Sequence, residues 1–166
     1  MNSKFLASKI AGNWIIQSTT YSLLKNKILT STNQINWKPV ENKNSNNILK
    51  LLLKNIIEKH DTNNSSIYIL ESKNNTKIEK FYKFFLYNEK LNKGYLLKLN
   101  HSGNILSKSE FTYKSNQHLY INHNNNGFYI DENIYFINQN LKIVKSIIKK
   151  NNECIGISFS SEIKMS

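Results

Sequence analysis

Ten short segments rich in β-branched and aromatic residues are the feature that most constrains the fold of this chain. Polar, turn-like sequences such as KNNT, HSGN and HNNNG separate them. Many short strands joined by short turns predict a meander or an up-and-down barrel. A barrel is favoured because it leaves no sheet edge exposed. The predicted strands are 14–24, 27–37, 67–72, 77–87, 94–99, 105–113, 117–123, 128–137, 141–150 and 153–165.

Two segments depart from the strand pattern. Residues 3–10 predict a short helix, with Ser3 as a possible N-cap. Residues 48–60 predict an amphipathic helix, because Leu and Ile recur there at three- and four-residue steps. We therefore predict a mostly β, antiparallel barrel with a short N-terminal helix and one amphipathic helix, in a single domain over residues 1–166.

The chain lacks the features of a disulfide-bonded or membrane-spanning protein. Cys154 is the only cysteine, so no internal disulfide can form, which fits a reducing compartment. Residues 1–14 hold no long apolar stretch, so no signal peptide is expected. Apolar runs such as residues 51–53 are too short to cross a bilayer. We expect no membrane insertion.

The net charge of +12 comes from 23 lysines without a single arginine. The lysines are scattered along the chain, which is typical of a solvated surface. Proteins that read nucleic-acid sequence rely on arginine for bidentate base contacts, so we expect no nucleic-acid partner, and a basic nucleic-acid module stays the weakest alternative. Asparagine makes up about one residue in six. Residues with A/T-rich codons are over-used, which indicates an AT-rich genome.

Alternation in the last predicted strand permits two orientations. Phe159 and Ile163 fall on one face, whereas Glu162 and Lys164 fall on the other. The simpler interpretation turns the apolar face inward and the polar face to water. The alternative places Glu162 and Lys164 inside a polar-lined cavity, as a barrel with a charged ligand requires.

No pattern of catalytic or metal-binding residues stands out. His118 and His123 are five residues apart, so they point to opposite faces of a strand. No Ser-His-Asp set, glycine-rich phosphate loop or zinc spacing is present. Cys154 fits a small buried hydrophobic residue better than a nucleophile. We expect neither a metal nor a cofactor.

Gly12 and Trp14 open the first predicted strand in a G-x-W pattern. This short pattern resembles the first strand of lipocalin-like barrels, in which the glycine permits close passage of the chain and the tryptophan plugs the barrel base. A lipocalin-like binder of another small ligand is one alternative that rests on these two residues.

Three segments together resemble the CpcS/CpeS family of biliprotein lyases. Residues 12–23, GNWIIQSTTYSL, resemble the family's G-x-W-x-S-Q-R-T-x-H-H-L strand. Residues 131–146, DENIYFINQNLKIVKS, are similar to its E-E-R-x-W-F-A-S-P-N-L-R-x-R-x-S. Residues 158–165, SFSSEIKM, are similar to its S-F-x-S-E-I-R-M ending. The segments occur in the family's order, and the last lies at the C-terminal end.

The resemblance implies a lipocalin-like barrel and a chromophore lyase activity. Such an enzyme binds an open-chain tetrapyrrole (bilin), for example phycocyanobilin or phycoerythrobilin. It attaches the bilin by a thioether bond to a cysteine of a phycobiliprotein subunit, which we expect to be a β subunit. The sequence leaves open whether the protein acts alone, as a homodimer or as a heterodimer with a paralogue. Combined with an AT-rich genome, the resemblance predicts a plastid-encoded protein of the red-algal chloroplast stroma, with a cyanobacterial cytoplasm as the alternative.

The resemblance also implies site residues. Glu132 and Glu162 match carboxylates that would bind the pyrrole N–H groups and stabilise a protonated bilin. Lys142 and Lys164 match arginines that would bind the two propionates. The other predicted substrate contacts are Asn140, Gln17, Trp14 and Lys145.

Several departures from the family pattern concern its arginines. Ser18, Asn133 and Val144 stand where the family has arginine, so none of them can bind a carboxylate by charge. Lysine supplies a point charge but lacks the rigid fork of arginine. Either Lys145, Lys149 or another nearby lysine compensates, or this protein binds bilin more weakly. Tyr21 and Ser22 replace the paired histidines, and Tyr135 replaces a tryptophan. A non-catalytic bilin carrier or chaperone is therefore the main alternative.

Overall fold

The computed structural model describes residues 8–40, 65–73, 80–88, 90–100, 102, 104–125 and 127–165. Ten antiparallel strands close into one barrel, in which each strand pairs with its neighbours in sequence and β1 pairs with β10. The strands are β1 (Gly12–Ser22), β2 (Lys27–Pro39), β3 (Ser65–Lys73), β4 (Lys80–Asn88), β5 (Lys93–Leu99), β6 (Ile105–Ser115), β7 (His118–Asn125), β8 (Phe128–Phe136), β9 (Leu141–Lys150) and β10 (Glu153–Lys164). The predicted mostly β barrel is confirmed.

The two predicted helices are only partly covered by the described residues. Residues 8–10 are helical, as predicted for the end of the N-terminal helix. Residues 3–7 and the amphipathic helix predicted at 48–60 lie outside the described residues. Within the described part of the chain, no helix is long and apolar enough to span a membrane.

Asparagines form several of the tight turns. Asn151 and Asn152 join β9 to β10, and both have positive φ, at 50° and 68°. Asn26 and Asn92, in the β1–β2 and β4–β5 turns, also have positive φ. Asparagine tolerates this left-handed region better than most residues. The abundance of asparagine therefore suits a chain that reverses direction after nearly every strand.

The main hydrophobic core fills one end of the barrel, called the closed end below. Trp14 is fully buried there, and its Nε1 donates a hydrogen bond to the Ile10 carbonyl at 2.9 Å. This bond anchors the segment before β1 at the closed end. The burial of Trp14 at this end is the position that the G-x-W pattern predicts. The core consists of Ile10, Trp14, Trp37, Phe85, Tyr87, Leu96, Phe111, Tyr113, Leu119, Ile121 and Phe136.

A second apolar cluster lies on the outer face of β3, β4 and β5. Its members alternate with the inward side chains of the same strands, and all are buried. Strands β4 and β5 therefore bury apolar residues on both faces. The cluster consists of Ile69, Tyr82, Phe84, Leu86, Leu97 and Leu99.

The orientation of β10 is the opposite of the simpler interpretation of its alternation. Phe159 and Ile163 point outward and are 48% and 47% exposed. Glu162 and Lys164 share the inner face with Trp14, because Trp14 pairs with Lys164 and the next inward residue of β1 pairs with Glu162. The interpretation that buries the apolar face is wrong, because this part of the interior wall is polar and contains an ion pair.

Gly12→Ala is expected to lower the free energy of unfolding by about 1–3 kcal/mol. Gly12 has a φ of 133°, a region that residues with a Cβ rarely adopt. An added Cβ would also overlap Cε of Lys164. Urea unfolding measures the effect. The double variant Gly12→Ala/Lys164→Ala should recover only the part due to overlap, and an unchanged urea midpoint for Gly12→Ala would contradict the prediction.

Candidate functional site

Charged side chains from five strands face the interior of the barrel. Directly paired residues share a face, so the strand register places Glu162 beside Lys142 of β9 and Glu132 of β8 on the same wall. On the opposite wall, Lys83 of β4 pairs with Lys98 of β5. Isolated charges are costly inside a protein unless they are paired or hydrogen-bonded. Each of these inward charges therefore needs a partner, either in the protein or in a ligand.

Lys142, Glu162 and Trp14 form one compact contact. Lys142 Nζ lies 2.7 Å from Glu162 Oε2, and the two side chains are only 7% and 18% exposed. The same ammonium lies 3.8 Å from the centre of the Trp14 ring, a cation–π geometry. Burial lowers the pKa of Lys142, while the Glu162 carboxylate opposes that change. The charge of Lys142 is thus already compensated by the protein.

Glu132 has a looser environment than Glu162. Its Oε1 lies 3.9 Å from Nε2 of His123, and its side chain is 27% exposed. His123 Nδ1 contacts the Ser109 hydroxyl at 2.6 Å. In the described strands, no lysine forms an ion pair with Glu132. Its carboxylate therefore keeps acceptor capacity for a ligand.

Lys164 lies at the closed end of the barrel. Its Nζ is 5.4 Å from the centre of the Trp14 ring. The Trp14 ring therefore lies close to both Lys142 and Lys164, the two lysines predicted to bind propionates. Lys164 lines a recess of about 460 Å³ together with Lys9 and Phe136. The four predicted residues Trp14, Lys142, Glu162 and Lys164 are thus brought together by the fold.

Three other predicted contacts do not reach the interior. Gln17 and Lys145 are exposed. Both lie on the outer face, because Gln17 is three residues from the inward Trp14 and Lys145 is three residues from the inward Lys142. Asn140 is exposed in the β8–β9 loop, where its carbonyl accepts the Lys164 N–H bond at 2.8 Å. These positions contradict the prediction that Gln17, Lys145 and Asn140 contact a ligand inside the barrel.

Lys149, the other lysine expected to compensate for missing arginines, also faces outward. Its Nζ lies 2.7 Å from Oδ2 of Asp131, and Tyr120 and Asn122 donate to Oδ1 of the same carboxylate. The hydrogen bonds from Lys149 and Tyr120 lower the pKa of Asp131 to about 2. This outer network joins β7, β8 and β9 and takes no part in the interior site.

Two interior lysines were not predicted as site residues. Lys83 and Lys98 line a cavity of about 360 Å³ with Trp37, Phe81 and Asn33, a volume within the range of small-molecule sites. The sequence contains a signal for Lys83, because Lys83 alternates in phase with Phe81 and Phe85 and so shares their face of the strand. The signal is ambiguous, because β4 and β5 bury apolar residues on both faces.

The described residues contain no group of three or more His, Cys, Asp or Glu side chains placed to hold a metal ion. His118 and His123 face opposite sides of β7, as their spacing predicts. His118 stacks on Tyr135 with ring centres 4.5 Å apart and contacts Asn133, whereas His123 faces Glu132 inside the barrel.

Comparison with known proteins agrees with this arrangement. A family model described as CpeS-like protein matches residues 3–165. The chain belongs to this family. A relative named chromophore lyase CpcS/CpeS homolog, from Gracilaria tenuistipitata var. liui, is 27% identical over 165 residues and covers 99% of each chain. A relative of the same name from Porphyra purpurea is 28% identical over 156 residues, covering 93% of this chain and 92% of its own.

The solved structure of the S-type phycobiliprotein lyase CPES from Guillardia theta has the same fold as this CpeS-like protein. The two superpose with a TM-score of 0.70 at 15% sequence identity, over 100% of this chain and 94% of the other. The resemblance read from three sequence segments is therefore confirmed at the level of the family and the fold.

Proposed function

We propose that this CpeS-like protein binds a bilin inside its barrel and attaches it by a thioether bond to a cysteine of a phycobiliprotein subunit. The observation that carries the proposal is an interior in which one wall holds Glu132, a carboxylate without a lysine partner among the described residues, and the other holds two lysines beside aromatic rings. A bilin offers pyrrole N–H donors, propionates and a flat conjugated surface, which match these three features. The names of the two curated relatives support the same activity.

The proposed chemistry needs no oxidant and no cofactor besides the bilin substrate. The acceptor cysteine adds as a thiolate to the exocyclic ethylidene of ring A. The sulfur bonds to the ethylidene carbon, the electron pair of the double bond moves into the ring system, and a ring carbon takes up a proton. Every atom of the thiol and the bilin is thus kept in the product. The protein contributes a fixed bilin conformer and exclusion of water and other thiols.

Glu132 is the proposed acceptor for the pyrrole N–H groups, because its carboxylate has no lysine partner among the described residues. A carboxylate at this position favours the protonated, more electrophilic bilin. Glu162 acts through Lys142, which it holds against Trp14. We propose that this contact bounds the bilin site on the side of the closed end, where Lys164 also lies.

The partners and location belong to the same proposal. The acceptor is a phycobiliprotein subunit, for which we propose the β subunit, and the lyase acts alone, as a homodimer or with a paralogue. The lysine- and asparagine-rich composition supports a plastid-encoded protein of the chloroplast stroma, since plastid genomes are commonly AT-rich. Neither a nucleic acid nor membrane insertion is part of the proposal.

Co-expression tests the proposed function. The protein is produced in a host that also makes phycocyanobilin and a phycobiliprotein β subunit, with a culture lacking the CpeS-like protein as the control. Zinc-fluorescent pigment bound covalently to the subunit is expected only when the protein is present. Colour on the CpeS-like protein with none transferred would favour a non-catalytic carrier. Colour on neither protein would contradict both.

A further inference from the structure

Two lysines face each other directly on the inner wall of the barrel. Lys83 of β4 and Lys98 of β5 are register partners, which places their Cβ atoms roughly 5 Å apart. Like charges directly opposite each other destabilise an antiparallel pair. In the strands that the structure describes, neither lysine forms an ion pair with a carboxylate. The repulsion between them is therefore not offset by a protein anion in contact.

Aromatic rings flank both ammonium groups. Lys83 Nζ lies 4.4 Å from the centre of the Trp37 ring, and Lys98 Nζ lies 4.8 Å from the centre of the Phe81 ring. All four side chains line the same cavity of about 360 Å³. The cavity thus offers two cations and two flat apolar surfaces. This combination suits a conjugated ring system that carries acidic substituents.

The other lysines considered for an acidic ligand are occupied or lie elsewhere. Lys142 is in contact with Glu162, and Lys164 lines the recess at the closed end. Lys145 and Lys149 belong to the outer face. Of these six lysines, Lys83 and Lys98 alone combine an interior position with a cavity and no carboxylate in contact.

We propose that Lys83 and Lys98 form the subsite that binds the carboxylate substituents of the ligand. The inference rests on the proposed function, in which those substituents are the two propionates of a bilin. The bilin then lies across the interior, with its propionates on β4 and β5 and its pyrrole nitrogens toward Glu132 on β8. In such a subsite, two lysines of the β4–β5 hairpin take the place of the arginines that this chain lacks.

A charge-deletion experiment tests the subsite. Phycocyanobilin and its dimethyl ester are titrated into the wild type, Lys83→Met, Lys98→Met and the double variant. Each single variant should bind the acid about 10-fold more weakly, and the double variant about 100-fold, because a charged hydrogen bond to each propionate is lost. Binding of the ester should change less than about threefold. Lys108→Met, an exposed change on β6, is the matched control.

The possible outcomes are distinguishable. The single variants should be at least as stable to urea as the wild type, since they remove like-charge repulsion. Equal weakening of acid and ester binding, or unchanged acid binding, would overturn the proposed subsite. Bilin binding by the wild type would still support the proposed function in either case. Failure of the wild type to bind either form would overturn both.

The pH dependence of binding gives a second test. Burial lowers the pKa of Lys83 to about 8; Glu132 and Glu162 oppose this change, and Lys142 and Lys98 reinforce it. A bound carboxylate favours the protonated lysine, so binding takes up a proton where free Lys83 is neutral. The affinity for the acid should therefore fall as the pH rises from 8 to 9.5, by at most about tenfold per pH unit. A profile of Lys83→Met as steep as that of the wild type would contradict this assignment.

Discussion

Glu162→Gln is expected to lower the free energy of unfolding by about 3–5 kcal/mol at neutral pH, because it leaves Lys142 buried without a counter-charge. The Lys142 side chain is only 7% exposed and lies 2.7 Å from the carboxylate. A loss of this size is a large share of the stability of a typical domain, about 5–15 kcal/mol. Urea unfolding followed by the fluorescence of Trp14 and Trp37, both buried, measures it.

The pH dependence of this loss follows from Lys142. Burial already holds the pKa of Lys142 below its usual 10.5, and removal of Glu162 lowers it further. Between the lowered pKa and 10.5, the unfolded state binds more protons than the folded state, so stability rises with pH. The deficit of Glu162→Gln relative to the wild type should therefore be largest at pH 7 and smaller near pH 10.

A second substitution separates the ion pair from the rest of the site. Lys142→Met/Glu162→Gln should be more stable than either single variant, because it removes both buried charges and keeps similar volumes. Glu153→Gln, at an exposed position of the same strand, is the control. If Glu162→Gln were as stable as Glu153→Gln, the buried pair would contribute nothing measurable to the fold.

Strands were predictable from the sequence because alternation and turn residues are local signals. All ten predicted strands are present, and β9 matches its predicted range, 141–150. Local signals did not determine which face of β10 points inward, since that depends on the polar interior as a whole. They also left Lys83 and Lys98 unassigned, because β4 and β5 bury apolar residues on both faces.

The contact between Lys142 and Glu162 depends on a detail that the sequence does not reveal. A two-residue turn at Asn151 and Asn152 with regular pairing would place Lys142 opposite Ser161. A β-bulge between Cys154 and Gly156 shifts the register by one residue, so that Lys142 pairs with Glu162. A one-residue shift exchanges the faces of a strand. The bulge therefore determines which residues of β10 line the interior.

Glu132→Gln is expected to give the largest loss of activity, about 100-fold in the rate of bilin transfer, with a stability change under about 1 kcal/mol. Glutamine keeps the size and an acceptor oxygen but removes the charge that favours a protonated bilin. The stability effect is small because Glu132 is 27% exposed and its contact with His123 is 3.9 Å long. Single-turnover transfer to a phycobiliprotein subunit, followed by zinc fluorescence, measures the rate.

A spectroscopic measurement distinguishes loss of charge at the bilin from general disruption. The carboxylate should raise the pKa of the bound bilin, so the absorption change that reports its deprotonation should occur at lower pH in Glu132→Gln than in the wild type. Glu110→Gln, on the exposed face of β6, should leave both the titration and the rate unchanged. Transfer by Glu132→Gln at the wild-type rate, with an unshifted absorption titration, would exclude Glu132 from contact with the bilin.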